Sequence, residues 1–149
     1  MGLANPAALT VAVAAQQAVH FIGMPEGRIP LSEATVYLAS SPKSNSAYLA
    51  IDAALADVRS SRDEPVPMHL RNAATPLMKR LGYGEGYQYA HDHPGHFVHT
   101  ENLPERLRGR VYYRPGTLGS ERAAAERLRA WWGEERYGED SKSAESTER

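Results

Sequence analysis

The chain has 149 residues, of which 42% are apolar and 23% charged, and its formal net charge is −1. This length and balance are typical of one folded domain, or one and a half, and exclude a whole-chain attraction to nucleic acid or anionic membrane. The lack of cysteine excludes disulfides, zinc–thiolate sites and cysteine nucleophiles.

The first predicted element is an alanine-rich helix. Asn5 is a favourable N-cap, Pro6 suits the first helical position, and Gly23 predicts the end of the helix. Apolar residues recur between them at helical spacing: Ala8, Val11, Ala15, Ala18 and Ile22, with Ala12 and Val19 widening the stripe. The apolar run at 7–15 is about half a membrane span and follows no basic region, so we predict a buried helix rather than a signal peptide.

Two further helices are predicted close behind the first. Residues 30–40 are predicted as a short helix that ends at Ser41-Pro42, and residues 44–59 as a third helix with Ser44 or Asn45 as its N-cap. The apolar stripe of the third helix is formed by Tyr48, Ile51, Leu55 and Val58. Because the connections are short, we expect neighbouring helices to pack closely.

The chain becomes less regular after a polar, proline-flanked linker at residues 60–67. Thr75-Pro76 predicts a short helix that ends at Leu81-Gly82, and Ser120 predicts the cap of a last helix that runs to Trp132. Regular helix is not expected between 82 and 119, where residues 87–89 and 111–113 could form short strands. The polar residues after Tyr137 are predicted to be disordered.

No motif in the chain predicts catalysis. The P-loop string G-x-x-x-x-G-K-[ST] is absent, and Gly82, Gly84 and Gly86 are more typical of a sharp turn after a helix than of a nucleotide site. Serines and histidines occur without a G-x-S-x-G elbow, which disfavours a hydrolase. We therefore predict no catalytic, cofactor-binding or ATP-binding residue in this chain.

Four histidines within nine residues form a potential metal site. Imidazole and the carboxylate of Asp92 are groups that zinc or nickel accepts as ligands. The histidines do not form an H-E-x-x-H pair, however, and Pro94-Gly95 interrupts any single helical face. We favour a polar surface loop without a resident metal and keep a histidine-rich metal-binding enzyme as an alternative. The four residues are His91, His93, His96 and His99.

A basic stretch suggests contact with nucleic acid as a second hypothesis. Arginine beside aromatic side chains can hold phosphates and stack bases. Glu101 and Glu105 offset the charge, and the tyrosines can equally pack inward, which we favour. Lys43 and this stretch stay candidate DNA contacts under the alternative. The stretch contains Arg106, Arg108, Arg110 and Arg114 with Tyr112 and Tyr113.

Five strings of the sequence match one family in their order. Residues 23–31 read G-M-P-E-G-R-I-P-L, residues 41–48 S-P-K-S-N-S-A-Y, and residues 66–73 V-P-M-H-L-R-N-A. Residues 81–84 read L-G-Y-G and residues 87–92 Y-Q-Y-A-H-D, and the last string consists of residues 112–115, Y-Y-R-P, with Gly119 and Glu121. Together they resemble the signatures of the RarA/MgsA group of AAA+ ATPases, which includes the eukaryotic Werner-helicase-interacting protein. The match covers residues 2–132.

The resemblance implies an all-α C-terminal domain akin to the clamp-loader collar, which assembles its protein into a homotetramer. It also implies a parent protein that is a DNA-dependent ATPase acting at stalled forks, with links to single-stranded-DNA-binding protein. The sites for ATP and Mg²⁺ would lie in an N-terminal part that this chain lacks. Residues 2–6 resemble the end of a longer family string, so we expect Met1 to be an artificial start. A cytoplasmic location at the nucleoid is implied, with no membrane partner.

The family's signatures carry no catalytic role to this chain. Their polar and aromatic residues are candidates for an interface or for DNA contact, and the sequence does not separate these roles. His93, His96 and His99 fall outside the family's pattern. The candidates are Lys43, Ser44, Asn45, Tyr48, His69, Arg71, Asn72, Tyr83, Tyr87, Tyr89, His91 and Asp92.

The sequence thus predicts an all-α chain: a collar-like helical domain, a partly irregular segment rich in tyrosine and glycine, and a final helix. We place the helical part at residues 1–62, the irregular part at 63–136 and a disordered tail at 137–149. The favoured function is an oligomerisation domain of a replication-associated recombination ATPase, and the alternative is a DNA-contacting module of the same ATPase.

Overall fold

The computed structural model of the chain describes residues 1–61 and 64–138. In this part the regular elements are six α-helices and five short 3-10 turns, without any strand. The predicted all-α fold is therefore confirmed. The helices are α1 (Ala7–Ile22), α2 (Arg28–Ser40), α3 (Ser46–Ser60), α4 (Pro76–Arg80), α5 (Ser120–Trp132) and α6 (Glu134–Tyr137).

The sequence prediction is correct for the C-terminal end of α1 and wrong for its N-terminal end. Gly23 ends the helix as expected, with φ at 77° and its amide bonded to the Val19 carbonyl at 2.9 Å. The predicted Asn5 cap is wrong, because Pro6 occupies the N-cap position without a side-chain bond. The Asn5 amide nitrogen instead donates to the hydroxyls of Tyr37 at 3.0 Å and Ser41 at 2.8 Å. A tertiary partner at the end of α2 has taken the side chain that would otherwise cap α1.

Local caps explain where the next helices begin. The Ser44 hydroxyl accepts a hydrogen bond from the Ser46 amide at 3.1 Å, at the first residue of α3. Thr75 caps α4 as predicted, because its side chain accepts from the Met78 amide at 3.2 Å. α5 ends at Trp132 as predicted, whereas the short α6 was not predicted.

The short strands suggested at residues 87–89 and 111–113 are wrong. Both stretches are irregular backbone, and the amide of Tyr87, in the first of them, is bonded within a turn rather than to a neighbouring strand. The Tyr87 amide bonds to Gly84 at 3.2 Å, and the Arg110 amide bonds to Leu107 at 3.0 Å. Between residues 82 and 119 the regular elements are 3-10 turns at Ala90–Asp92, Pro94–His96 and Glu105–Leu107.

The chain divides into two units. Unit 1 consists of Met1–Ala53 and Tyr112–Ala130, and unit 2 consists of Ala54–Val111 with the chain from Trp131 onward. In unit 1, α1 packs against α2. Apart from Pro115, the buried apolar side chains of the described residues are alanines, namely Ala4, Ala8, Ala15 and Ala34. Unit 1 therefore has a thin core of small side chains.

The prediction that α1 is a buried helix is correct for one face and wrong for another. Ala8 and Ala15 are buried against the rest of unit 1, but Leu9 is 74% exposed and Phe21 84% exposed. Among residues 1–61 and 64–138, no element covers Leu9 and Phe21 on this second face of α1. No helix of the described residues is long and apolar enough to cross a membrane.

An aromatic cluster organises unit 2. The ring of Phe97 stacks on Trp131 with centroids 5.0 Å apart and meets Trp132 edge to face at 5.3 Å. Trp132 also contacts the ring of His99 at 4.8 Å and lies 4.5 Å from the guanidinium of Arg136. Such contacts stabilise beyond the area that they bury. The predicted disorder of the C-terminal tail falls, from residue 139 on, outside the described residues.

Candidate functional site

The most buried side chain of unit 1 belongs to an acidic residue. Glu121, near the start of α5, is 1% exposed. Its Oε1 accepts hydrogen bonds from the hydroxyls of Ser46 and, at 3.1 Å, Tyr113, and its Oε2 accepts from the Gly116 amide at 3.1 Å. The Ser44 hydroxyl lies 3.0 Å from that of Ser46 and donates to it. We call these five residues the Glu121 network.

The network keeps Glu121 ionised. Burial alone would raise the pKa of this carboxyl, but the bonds from Ser44, Ser46, Tyr113 and the Gly116 amide together lower the pKa below its usual 4.5. The carboxylate is thus stabilised in a site that water does not reach. A group so fully enclosed cannot touch a substrate, so its role is to hold residues 44–46, 113–116 and the start of α5 together.

Two of the family strings meet at the Glu121 network. One string supplies Ser44 and Ser46, and the other, about seventy residues later, supplies Tyr113, Gly116 and Glu121. A Cβ at Gly116 would lie 2.7 Å from the Glu121 carboxylate, so a larger residue there would have to displace this carboxylate from its position in the network. Sequence reasoning gave Ser44 as a possible helix cap and signature residue and Glu121 as a letter of a separate string, but it assigned no role to Ser46. No local pattern connects positions so far apart.

Unit 2 contains a second carboxylate with a lowered pKa, although its side chain is partly exposed. Glu101 accepts hydrogen bonds from the amides of Leu103 at 3.1 Å and Gly109 at 3.0 Å, and Arg136 lies 3.5 Å away. Burial tends to raise the pKa of Glu101, but these amides, the Arg136 charge and the Asn102 amide lower it overall. Glu101 therefore closes the loop at residues 101–109, which the sequence left without a predicted structure.

The signature residues near α3 separate into a network member and a surface group. Ser44 belongs to the Glu121 network, whereas Lys43 points to the end of α2, with its Nζ 3.4 Å from the Ala39 carbonyl. Asn45 is exposed, and Tyr48 is 64% exposed. Lys43, Asn45 and Tyr48 are thus available to a partner.

The signature residues 69–83 hold unit 2 together locally. Arg71 donates from Nε to the Val66 carbonyl at 2.6 Å, and its guanidinium lies 5.2 Å from the ring centre of Tyr83. His69 Nε2 lies 3.1 Å from the side-chain oxygen of Asn102. These contacts indicate a structural role for Arg71, Tyr83 and His69.

Asn72 and the signature residues 87–92 lie at the surface of unit 2. Asn72 and Asp92 are exposed, as are Tyr87 by 57% and Tyr89 by 54%. The ring of His91 contacts those of Tyr89 at 5.0 Å and His96 at 4.9 Å. Among residues 1–61 and 64–138, no group of three His, Cys, Asp or Glu side chains is arranged to hold a metal ion.

The basic stretch suggested for nucleic acid is interleaved with acidic partners. Arg106 pairs with Glu64 at 3.0 Å, Arg108 with Glu105 at 3.1 Å, and Arg110 with Asp57 at 3.4 Å. Exposed ion pairs of this kind contribute about 0–1 kcal/mol, so they are easily exchanged. They nevertheless reduce the local positive charge, and DNA contact stays a prediction.

The exposed surface of unit 1 around α1 is largely apolar, with Thr10, Gln16, Gln17 and His20 as the exposed polar residues of the helix. α1 contains no Asp, Glu, Lys or Arg, and α2 adds Val36, which is 64% exposed. A groove of about 500 Å³, here called the α1–α2 groove, runs between the two helices. Extended apolar surfaces of this type mark sites of interaction. The groove is lined mainly by Ala12, Ala15 and Val19 of α1 and by Leu31, Ala34 and Leu38 of α2.

Residues 1–132 match the family model described as the C terminal of the MgsA AAA+ ATPase. The chain therefore belongs to the family of C-terminal domains of MgsA-type AAA+ ATPases, as its five strings predicted. It is 44% identical, over 91% of its length, to the replication-associated recombination protein A of Escherichia coli K12. The protein of the same name from Bacillus subtilis 168 is 41% identical over 86% of this chain, and the ATPase WRNIP1 of Dictyostelium discoideum 41% over 76%.

The chain spans 30% of the length of each of the two bacterial relatives and 13% of the Dictyostelium protein. The family assignment therefore concerns one domain. It leaves the role of the domain to be argued from its surface.

Proposed function

We propose that this chain is the oligomerisation domain of a replication-associated recombination AAA+ ATPase and assembles into a homotetramer. The observation that carries this proposal is the 16-residue helix α1, which has no Asp, Glu, Lys or Arg and exposes Leu9 and Phe21. Burying one large apolar side chain contributes about 1.5–3 kcal/mol. Other copies that cover this surface would supply the burial that unit 1 lacks.

In the whole protein, such a domain would act as a collar that holds several ATPase parts together. Tethering raises their effective concentration, so that ATP-driven changes act jointly on DNA at stalled forks. ATP and Mg²⁺ would bind to the N-terminal part, and single-stranded-DNA-binding protein would be a partner of the whole assembly. The assembly would work in the cytoplasm, at the nucleoid.

Absolute mass in solution tests the oligomerisation directly. We expect light scattering after size exclusion to give a mass near four chains over a concentration series. Leu9→Glu should lower this mass, because a carboxylate buried in an apolar interface loses its hydration without a partner. Leu77→Glu is the matched control, since this leucine of α4 in unit 2 is also exposed, by 56%.

A wild-type chain that is monomeric at all concentrations would contradict the proposal. The hypothesis of a DNA-contacting module would then be favoured, and it predicts a dependence of binding on salt. Binding to single-stranded DNA would have to weaken steeply between low and moderate salt, because phosphate contacts release counterions. Equal mass loss in Leu9→Glu and Leu77→Glu would mean that the effect is not specific to α1.

A further inference from the structure

One face of α1 carries a row of residues whose spacing is symmetric. Leu9, Ala12, Gln16 and Val19 follow each other at intervals of three, four and three positions, which places them on one side of the helix. Leu9, at one end of the row, is 74% exposed. Ala12, Gln16 and Val19 line the α1–α2 groove. The row therefore has an exposed leucine at one end, followed by three residues that line the groove.

The symmetry of the spacing makes this row complementary to an antiparallel copy of itself. Reading the row from either end gives the same intervals, so an antiparallel copy places Leu9 opposite Val19 and Ala12 opposite Gln16. Each small residue thereby meets a longer one, which is how side chains of packed helices interdigitate. The protruding leucine of each copy would enter the part of the groove that Val19 lines in the other.

The charge of the surface favours a second copy over a polar partner. Two identical helices bring their like charges together when they pair, but α1 has no Asp, Glu, Lys or Arg to repel its copy. Glu33, the acidic residue of α2, is absent from the lining of the groove. A charged partner would lose its hydration here without finding an opposite charge.

We infer that α1 helices of two copies pair in an antiparallel, two-fold contact in which Leu9 of each copy packs on Val19 of the other, in the part of the α1–α2 groove that Val19 lines. The inference rests on the self-association proposed above and adds its geometry. A two-fold contact uses the same surface on both copies. A tetramer would then need a second, different contact between such pairs.

Engineered disulfides test this geometry in a chain that has no cysteine of its own. We would produce Leu9→Cys, Val19→Cys and the double variant Leu9→Cys/Val19→Cys of the 149-residue chain and oxidise them mildly. The two positions lie about 15 Å apart along one helix, so they cannot be joined within a chain. The antiparallel pairing predicts that neither single variant cross-links alone, that their mixture gives linked pairs, and that the double variant stops at covalent dimers.

Each other result overturns the inference in a distinct way. Cross-linking of Leu9→Cys with itself would indicate a parallel pair, and covalent trimers or tetramers of the double variant would indicate a head-to-tail ring. The mixed control is Leu9→Cys with Val36→Cys, because Val36, at 64% exposure, is more accessible than the half-buried Val19 but does not line the groove. If this control forms disulfides as efficiently as the test mixture, the links arise from random collisions and not from a specific contact.

The light-scattering mass separates this inference from the proposed function. A multimeric wild type without any link between positions 9 and 19 would overturn the α1 pairing and leave oligomerisation standing. A monomeric wild type would contradict both.

Discussion

At the scale of single residues, Glu121 shows how a buried charge can serve a fold. Its carboxylate receives bonds from Ser46, Tyr113 and the Gly116 amide, and the same site would be unfavourable for a carboxylate without these donors. Removing the charge leaves the donors in place without an ionic acceptor. The network therefore makes the docking of α5 depend on one side chain.

We predict that Glu121→Gln lowers the free energy of unfolding by about 1.5–3 kcal/mol at pH 7, the usual worth of hydrogen bonds to a charged group. Urea unfolding followed by circular dichroism would measure this. Glu126→Gln is the matched control, because Glu126 is exposed on the same helix. Its effect should stay within about 0.5 kcal/mol.

The destabilisation by Glu121→Gln should also depend on pH. Folding lowers the pKa of Glu121 below its usual 4.5, so the stabilisation is fully present above that value and is lost as the pH falls through the folded pKa. The difference between wild type and variant should therefore shrink in acid. A difference that stays constant from pH 7 down to pH 3 would show that the charge is not what the network stabilises.

At the scale of elements, the sequence predicts what is decided locally. Gly23 ends α1 and Thr75 begins α4 where the pattern indicates, because the backbone geometry of an end and the bond of a cap depend on a few neighbours. The prediction of an Asn5 cap is wrong because the Asn5 side chain bonds to Tyr37, which is distant in the sequence but close in space. The Glu121 network was not predicted because its contacts are also tertiary: its serines and its glutamate come from strings that are distant in the sequence.

The junction before α5 allows a test of close packing between elements. Gly119 has a φ of +55°, and a Cβ there would collide with the carbonyl oxygen of Ala4. We predict that Gly119→Ala destabilises unit 1 by about 2–4 kcal/mol, from backbone strain and overpacking together. Thermal unfolding would measure the loss.

Gly133→Ala separates the two causes. Gly133 also has a positive φ, +84°, but nothing lies within 4 Å of an added Cβ. This variant should lose only the roughly 1 kcal/mol that backbone strain costs. Equal losses in both variants would mean that the approach of Gly119 to Ala4 does not constrain the fold.

At the scale of the whole molecule, the described chain buries little apolar surface by itself. Its buried apolar side chains are four alanines and Pro115, while Phe21, Leu9 and Tyr48 are largely exposed. Stability should then come in large part from association. A hundredfold rise in protein concentration should raise the midpoint of thermal unfolding by about 4–8 °C, because mass action favours the folded oligomer. A midpoint that is independent of concentration would contradict this, and Leu9→Glu should show a smaller shift.

The two tryptophans and the long helices of the molecule give two separate optical signals. Both tryptophans of the chain, Trp131 and Trp132, lie against Phe97 in unit 2. Their fluorescence therefore reports on the surroundings of one unit, whereas the far-ultraviolet dichroism is dominated by long helices, of which α1 and α2 lie in the other. Coincident transitions in the two signals would mean that both units unfold as one cooperative body, and separated transitions would reveal an intermediate in which one unit has already lost its order.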